Sequence, residues 1–362
     1  MRTESLAWLA CPAPGCAGPL SPGGRFEIGT SPSDPAELVE AVLCCNRCEA
    51  EYPVILGVAL LENDLQAYLG AFWEEIARCG DELAGAGVSR RMRSYLGIPS
   101  AFSGQAGPAP AGDSGAEWSV SPYLQAHFDP GSLTGDLPGG WWREAVTAHR
   151  ASRLDPYSLL LGSVRELPGS PAGLALDVGS SVGRGAAELA KLYRYSVGVD
   201  RSFRAVLAAR RLLLRQPSPL DRYSVEIERG RWEPRGLDPP PEAANLDFVV
   251  ASGAALPVSA EGAQCVAGLN VLCAVPEPRG LIGEFARVLA PGGVLALSSP
   301  YWADADEGGR SPFSGGGPEF LAEALDGRFE VVEEHDMVPW LVRLARRRWN
   351  VYLCHCVVAT RC

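Results

Sequence analysis

Two groups of residues in this chain have the types and spacing that chemistry requires. The first is Leu174-Ala175-Leu176-Asp177-Val178-Gly179-Ser180-Ser181-Val182-Gly183, followed after a helical stretch by Val197-Gly198-Val199-Asp200. An apolar strand ends in a glycine turn that lets the backbone approach a ligand, and a helix N-terminus, which favours negative charge, begins there. A second strand then delivers the carboxylate of Asp200, 23 positions after Asp177. That is about the separation at which an acid reaches ribose hydroxyls, so the unit reads as a nucleoside-binding βαβ element. Ser181 stands where a G-x-G-x-x-G fingerprint has its middle glycine, which argues against a dinucleotide.

The second group is cysteine. Cys11-Pro12-Ala13-Pro14-Gly15-Cys16 and Cys44-Cys45-Asn46-Arg47-Cys48 are two turn-borne pairs joined by a longer connection. This is the pattern of a tetrahedral zinc site, with Cys11, Cys16, Cys45 and Cys48 as the most economical ligand set. Cys44 is then a spare, and a Cys44 and Cys48 pairing is the alternative. Four thiolates close the coordination shell, so the expected Zn2+ is structural. A module of this size holds little core of its own, and the metal would supply much of its folding free energy.

The elements that must position these groups divide the chain into a zinc-ribbon-like module at 1–61, a helical cap and linker at 62–168, and an α/β domain at 169–362. Leu65, Leu69, Phe72, Trp73 and Ile76 have helical spacing, and Ser100 to Gly115 reads as a flexible linker. Trp118, Tyr123, Phe128, Trp141 and Trp142, with His127 and His149, make residues 117–168 a plausible lid or a simple helical packing layer. Ala186, Leu189, Ala190 and Tyr193 mark one core-facing helix, and Phe203, Val206, Leu207, Leu213 and Leu214 a second. Residues 217–245 form an insertion with a strand at 223–228. A helix at 318–325 and strands at 329–332 and 349–359 close the chain. The order predicts a doubly wound, mostly parallel sheet with an antiparallel last strand, whose ligands lie beyond the C-terminal strand ends.

The glycine turn resembles motif I of the class I S-adenosyl-L-methionine (AdoMet) methyltransferases. Three further segments match that family in order: Ala251-Ser252-Gly253-Ala254-Ala255-Leu256-Pro257 at its adenine-binding loop, Gly268-Leu269-Asn270-Val271-Leu272 at the end of its fourth strand, and Arg287 to Leu297 at its helix, Pro-Gly-Gly turn and fifth strand. The resemblance implies a Rossmann-like sheet of seven strands and AdoMet as cofactor. It places Asp177, Gly179, Ser181, Gly183, Asp200, Arg201, Gly253, Ala254 and Asn270 in the cofactor site, with Asp200 on the ribose. The family's acid before the Leu-Pro pair is replaced here by Gly253-Ala254-Ala255. The segment from Leu43 to Leu61 resembles the zinc-ribbon proteins that activate tRNA and translation-factor methyltransferases, with Ala59 in place of their proline.

A narrower resemblance lies in the second half. Leu269-Asn270-Val271-Leu272-Cys273, Ser298-Ser299-Pro300-Tyr301-Trp302 and Asp336 to Arg343 are similar to the methyltransferase domain of the ovothiol biosynthesis enzyme, and the first of these also to the protein-histidine N-methyltransferases. Both groups methylate an imidazole nitrogen. Cys273 and Ala274 replace their Asp and Arg. Asn270 and Tyr301 are the candidate catalytic residues, read as orienting a nitrogen acceptor beside the methyl group, on a small molecule or peptide. Methyl transfer depends mainly on alignment, so a missing catalytic triad is no objection.

Bulk composition bounds the partners. The chain has 362 residues, 47% of them hydrophobic, a net charge of −11 and a pI near 5.0. Nucleic-acid binding would need a local basic patch, for which Arg343, Arg346, Arg347 and Arg348 are the candidate. An RNA base methyltransferase that reads RNA through the ribbon is therefore one rival, and a catalytically degenerate scaffold is another. No apolar run reaches the roughly 20 residues of a membrane span, and the clustered cysteines fit a reducing compartment, so the expected location is the cytoplasm.

Overall fold

The computed structural model describes all residues except 24–25, 27, 32–33, 83–86, 99–119, 130, 136, 138, 153, 168–172, 215–219, 229–230, 239, 303–310 and 314. The linker expected at 100–115 and Trp118 lie outside the described residues. The first part holds a 3-10 turn at Thr3–Ala7 and short strands β1 (Leu20–Pro22), β2 (Gly29–Thr30), β3 (Leu38–Cys45), β4 (Glu51–Ile55) and β5 (Val58–Ala59). Six helices follow: α1 (Leu65–Glu82), α2 (Arg90–Tyr95), α3 (Ser121–Phe128), α4 (Ser132–Gly135), α5 (Trp141–Ser152) and α6 (Pro156–Glu166). The remainder runs β6 (Leu174–Val178), α7 (Arg184–Leu189), β7 (Tyr195–Asp200), α8 (Phe203–Leu213), β8 (Arg222–Glu228), β9 (Arg231–Gly236), β10 (Leu246–Val250), β11 (Ala263–Leu269), α9 (Pro278–Val288), β12 (Leu289–Ser299), α10 (Gly317–Leu325), β13 (Phe329–Ala345) and β14 (Arg348–Arg361).

The large sheet has the order β10-β7-β6-β11-β12-β14-β13-β8-β9. Its first five strands are parallel, and β14 runs antiparallel to both β12 and β13. The parallel strands read as continuous apolar runs because helices cover both faces; β6 and β10 are buried at every position. The chain winds outward from β6 to β10 on one side and from β11 on the other. The reversal between β6 and β11 opens a crevice at the strand ends, where such folds bind ligands. The seven strands expected from the sequence are present, and β8 and β9 add a hairpin at the far edge.

Helix α7 and strand β13 differ from the sequence reading. Helix α7 spans only six residues, so Ala190 and Tyr193 of the expected stripe lie past its end, yet all four stripe residues are buried. Strand β13 is 17 residues long, where a strand of four was expected, because bulges near Glu333 and Val338 and a positive φ at Met337 carry it through a charged, proline-containing stretch. Its outer half and the start of β14 overhang the end of β12 at Ser299, and Ala345 pairs with Glu226 of β8.

The ribbon strands pack into the same cores as the large sheet. Leu60 forms a parallel bridge with Val250, and the Leu61 N–H donates to the Val250 carbonyl, so the ribbon lies along the β10 edge. Beneath this contact, buried Arg210 of α8 pairs with Asp247 of β10 and Glu37 of the ribbon. Ser5 also donates to Asp247, which satisfies a carboxylate with no exposure at all.

Candidate active site and metal centre

The thiol sulfurs of Cys11, Cys16, Cys45 and Cys48 lie within 4.8 Å of one another, close enough for one metal ion. Alternation along β3 selects among its cysteines: Cys45 faces the cluster while Cys44 turns away toward Glu51. The Arg47 N–H points at Cys45 Sγ at 3.4 Å, and the Tyr52 hydroxyl lies 3.1 Å from Cys11 Sγ. A Cβ at Gly18 would stand 2.8 Å from Cys45 Sγ, so the glycine leaves room for the thiolates to converge. This donor set fits a structural Zn2+ with a closed shell.

At the other centre, Asp177 ends β6 and is 2% exposed. Its Oδ2 accepts the Ala186 N–H at 2.7 Å, holding the first turn of α7. Burial pushes its carboxyl up to about 7, against the pull of that hydrogen bond, with Asp200 adding to the rise. Asp200 ends β7 half-buried, with Oδ2 accepting from Ser181 N and Oδ1 from Ser202 N, each at 2.8 Å. Burial raises its pKa as well, opposed by backbone N–H groups. Each oxygen keeps a second lone pair, so the carboxylate ties two loops together and can still accept from a ligand hydroxyl.

The glycines of the turn divide into two roles. Gly179 has φ +76°, and a Cβ there would stand 2.9 Å from Val271, which joins the turn to the β11 end. Gly183 has φ +88°, and a Cβ would meet Phe248 at 2.6 Å and Leu213 at 2.8 Å. Close packing of the turn on α8 and β10 therefore explains Gly183, where the sequence suggested approach to a ligand. Ser181, in the expected middle-glycine position, also takes a positive φ of 47°. Arg201 points toward solvent beside Glu62 and Phe72. In the adenine-loop segment, a Cβ at Gly253 would press on Leu281, while Ala254 is exposed. Glu284, which the sequence reading missed, accepts the Leu256 N–H at 2.7 Å and shapes this loop with Arg287.

Asn270 follows β11 with φ +58°. Its Oδ1 accepts from Ser298 Oγ at 2.9 Å and from Cys354 Sγ at 3.4 Å, while its Nδ2 is buried with no partner among the described residues. Tyr301 goes elsewhere. Its hydroxyl pairs with His355 Nδ1 at 2.7 Å, His355 Nε2 pairs with Glu334 at 2.8 Å, and its ring packs on Phe313. Cys354 and His355 are successive residues of β14, so their side chains leave opposite faces of the sheet. The structure thus separates Asn270 from Tyr301, which the sequence order placed together.

Above the Asn270 face stands an aromatic cluster contributed by the cap. The Trp340 ring on β13 stacks on Tyr123 and His127 of α3 at 6.4 and 6.2 Å, and meets Tyr352 at 5.4 Å. Tyr157 of α6 lies edge-on to His127 at 4.6 Å with the Arg184 guanidinium over its other side. The rest of the aromatic lid reading is less uniform. Trp142 meets Trp349 at 5.7 Å, whereas Trp141 is 76% exposed. Of the candidate basic run, Arg343 is 1% exposed, whereas Arg346, Arg347 and Arg348 are exposed around the β13–β14 turn, where the Arg346 backbone N–H donates to the Glu226 carbonyl. Among the described residues, no helix is long and apolar enough to cross a membrane.

No curated protein matches the chain. Among solved structures it is similar to the YcgJ protein from Bacillus subtilis, at 12% identity and TM-score 0.39 over 57% of this chain and 97% of that one. It is similar also to a SAM-dependent methyltransferase from Methanosarcina mazei, at 20% identity and TM-score 0.37 over 53% and 93%. A complex of the Haloferax volcanii Trm112 methyltransferase activator with a methyltransferase matches at 15% identity and TM-score 0.38 over 59% and 91%. Residues 176–297, from β6 to β12 and so from Asp177 through Asn270, match the family model described as a methyltransferase domain.

Proposed function

We propose that the protein transfers a methyl group from AdoMet to a nitrogen of a small molecule or peptide, an imidazole-like ring being one candidate acceptor. Residues at the crevice suit the cofactor: Asp200 stands where ribose hydroxyls would be received, Gly179 opens the turn, and Asp177 offers a buried carboxylate to the methionine ammonium. When bound, AdoMet supplies an electrophilic sulfonium methyl group. The acceptor must then be held in line with it, and alignment supplies most of the acceleration.

The observation that carries this reading is the unpartnered Nδ2 of Asn270, buried at the β11 end next to the glycine turn. A buried amide with no partner costs free energy that an acceptor atom would recover, so Asn270 is assigned to orient the acceptor. Its neighbours Ser298, Cys354 and Cys273 include no strong base. His127, above them, has its pKa held well below the usual value by burial and then by Arg184. An imidazole-like nitrogen, largely unprotonated at neutral pH, has a free lone pair and needs no base before attack, unlike a hydroxyl. Tyr301, on the opposite face, holds the β12 end through His355. RNA as acceptor would rest on Arg346, Arg347 and Arg348 alone, since Arg343 is buried, and the net charge of −11 disfavours it.

The test separates chemistry from cofactor binding. Asn270→Ser should lower turnover by about tenfold or more, at least ~1.4 kcal/mol of transition-state stabilisation, with AdoMet affinity by calorimetry little changed. Tyr301→Phe should keep turnover within about threefold, or ~0.65 kcal/mol. Equal losses of affinity and turnover in Asn270→Ser would assign Asn270 to the cofactor site. Failure of the wild-type chain to bind AdoMet would favour the degenerate scaffold.

A further inference from the structure

A cavity of about 180 Å³ lies between α3, α5, α6, the start of α7 and β13. It is roughly ten times what one water needs (~10–15 Å³). Its walls combine a ring slot with positive charge. Trp340 and His127 are near-parallel, 19° apart, and Arg150, Arg184 and His149 line the cavity with them. Asp155 is the only carboxylate among the lining residues, and Arg184 already faces it at 3.5 Å. Arg150 has no ion-pair partner among the described residues.

A second observation points to a ligand. His127 is 9% exposed, lines the cavity, and its Nδ1 is buried without a partner. A buried imidazole nitrogen is ordinarily paired, and this one has no partner among the described residues. Both histidines are held neutral by burial, so they offer hydrogen bonds and no charge. The remaining requirement is an anion for Arg150.

We propose that this cavity binds a small planar acid, a heteroaromatic carboxylate bearing a ring nitrogen, with its ring against Trp340 and its carboxylate on Arg150. If the methyltransferase reading holds, this acid is the methyl acceptor, because the same aromatic cluster roofs the Asn270 face. The cavity is larger than the methionine carboxylate of a cofactor alone would need, and apart from Arg184, which follows the glycine turn, its lining residues belong to α3, α5, β13 and the start of α6. Arg150 gives the two-pronged geometry that carboxylates favour.

The test uses the full-length protein and two probes: imidazole-4-carboxylate and its uncharged amide. Tryptophan fluorescence follows binding, with Trp340→Phe as the control for the reporting residue. The acid should bind saturably and at least about tenfold more tightly than its amide, the scale of a charge-assisted pair. Arg150→Gln should abolish that preference while leaving AdoMet affinity within about twofold, and circular dichroism should confirm that this half-buried helix position still folds. Equal binding of acid and amide, no saturable binding of the acid, or an unaltered preference in Arg150→Gln overturns the proposal. An equal loss of AdoMet affinity in Arg150→Gln also overturns it, by giving the cavity to the cofactor. Acid binding by a chain that does not bind AdoMet would leave the cavity assignment standing and remove only the methyltransferase reading.

Discussion

Asp177 pairs burial with charge, and its titration should report what sits beside it. Its folded pKa, about 7, lies above the ordinary 3.8. The unfolded chain therefore releases this proton near pH 4 while the folded chain keeps it to about 7, so stability falls as pH rises through that window and is regained as it falls. A ligand ammonium placed on Asp177 would favour the charged form and expel the proton. AdoMet binding near pH 7 is thus expected to release part of a proton per site, seen as a calorimetric enthalpy that changes with the ionisation enthalpy of the buffer; Asp177→Asn should remove that dependence. A buffer-independent enthalpy would place the ammonium elsewhere. Asp177 and Asp200 were legible in the sequence because each is an acid at the end of an apolar run. The bond between Asn270 and Cys354 was not, since it joins residues 84 apart and exists only because β14 lies against β12.

At the scale of elements, local periodicity found what local forces build. The β6 to β7 unit, α8, α10 and the ribbon cysteines all appeared where their patterns placed them. Strand β9 and the extension of β13 beyond residue 332 did not, because Arg231-Trp232-Glu233-Pro234-Arg235 and Glu333 to Pro339 carry the charges and prolines of loops; pairing with neighbours makes them strands. The same distinction governs Gly183. Its positive φ and the crowding by Phe248 and Leu213 predict that Gly183→Ala destabilises the protein by about 1–3 kcal/mol, read by urea denaturation. Gly179→Ala meets only one neighbour, the Val271 side chain, and should cost less. Equal stability losses in the two variants would contradict the packing role assigned to Gly183.

For the whole molecule, the ribbon and the sheet share cores, the Leu60 to Val250 bridge and the Arg210 ion cluster. Metal analysis should find about one zinc per chain, and its removal should lower the melting temperature of the entire protein by about 5 °C or more in one transition. An unchanged transition after complete chelation would mean that the cysteines pack without metal. The two ends of the sheet are guarded differently. β9 is exposed, but its charges and Pro234 make it a poor template for another strand, whereas β10 is Leu246-Asp247-Phe248-Val249-Val250 and has no such protection of its own. Its protection is the ribbon. Loss of zinc should therefore uncover an apolar strand edge, and the chelated protein should self-associate in a concentration-dependent way by light scattering, which makes the metal a guard against aggregation.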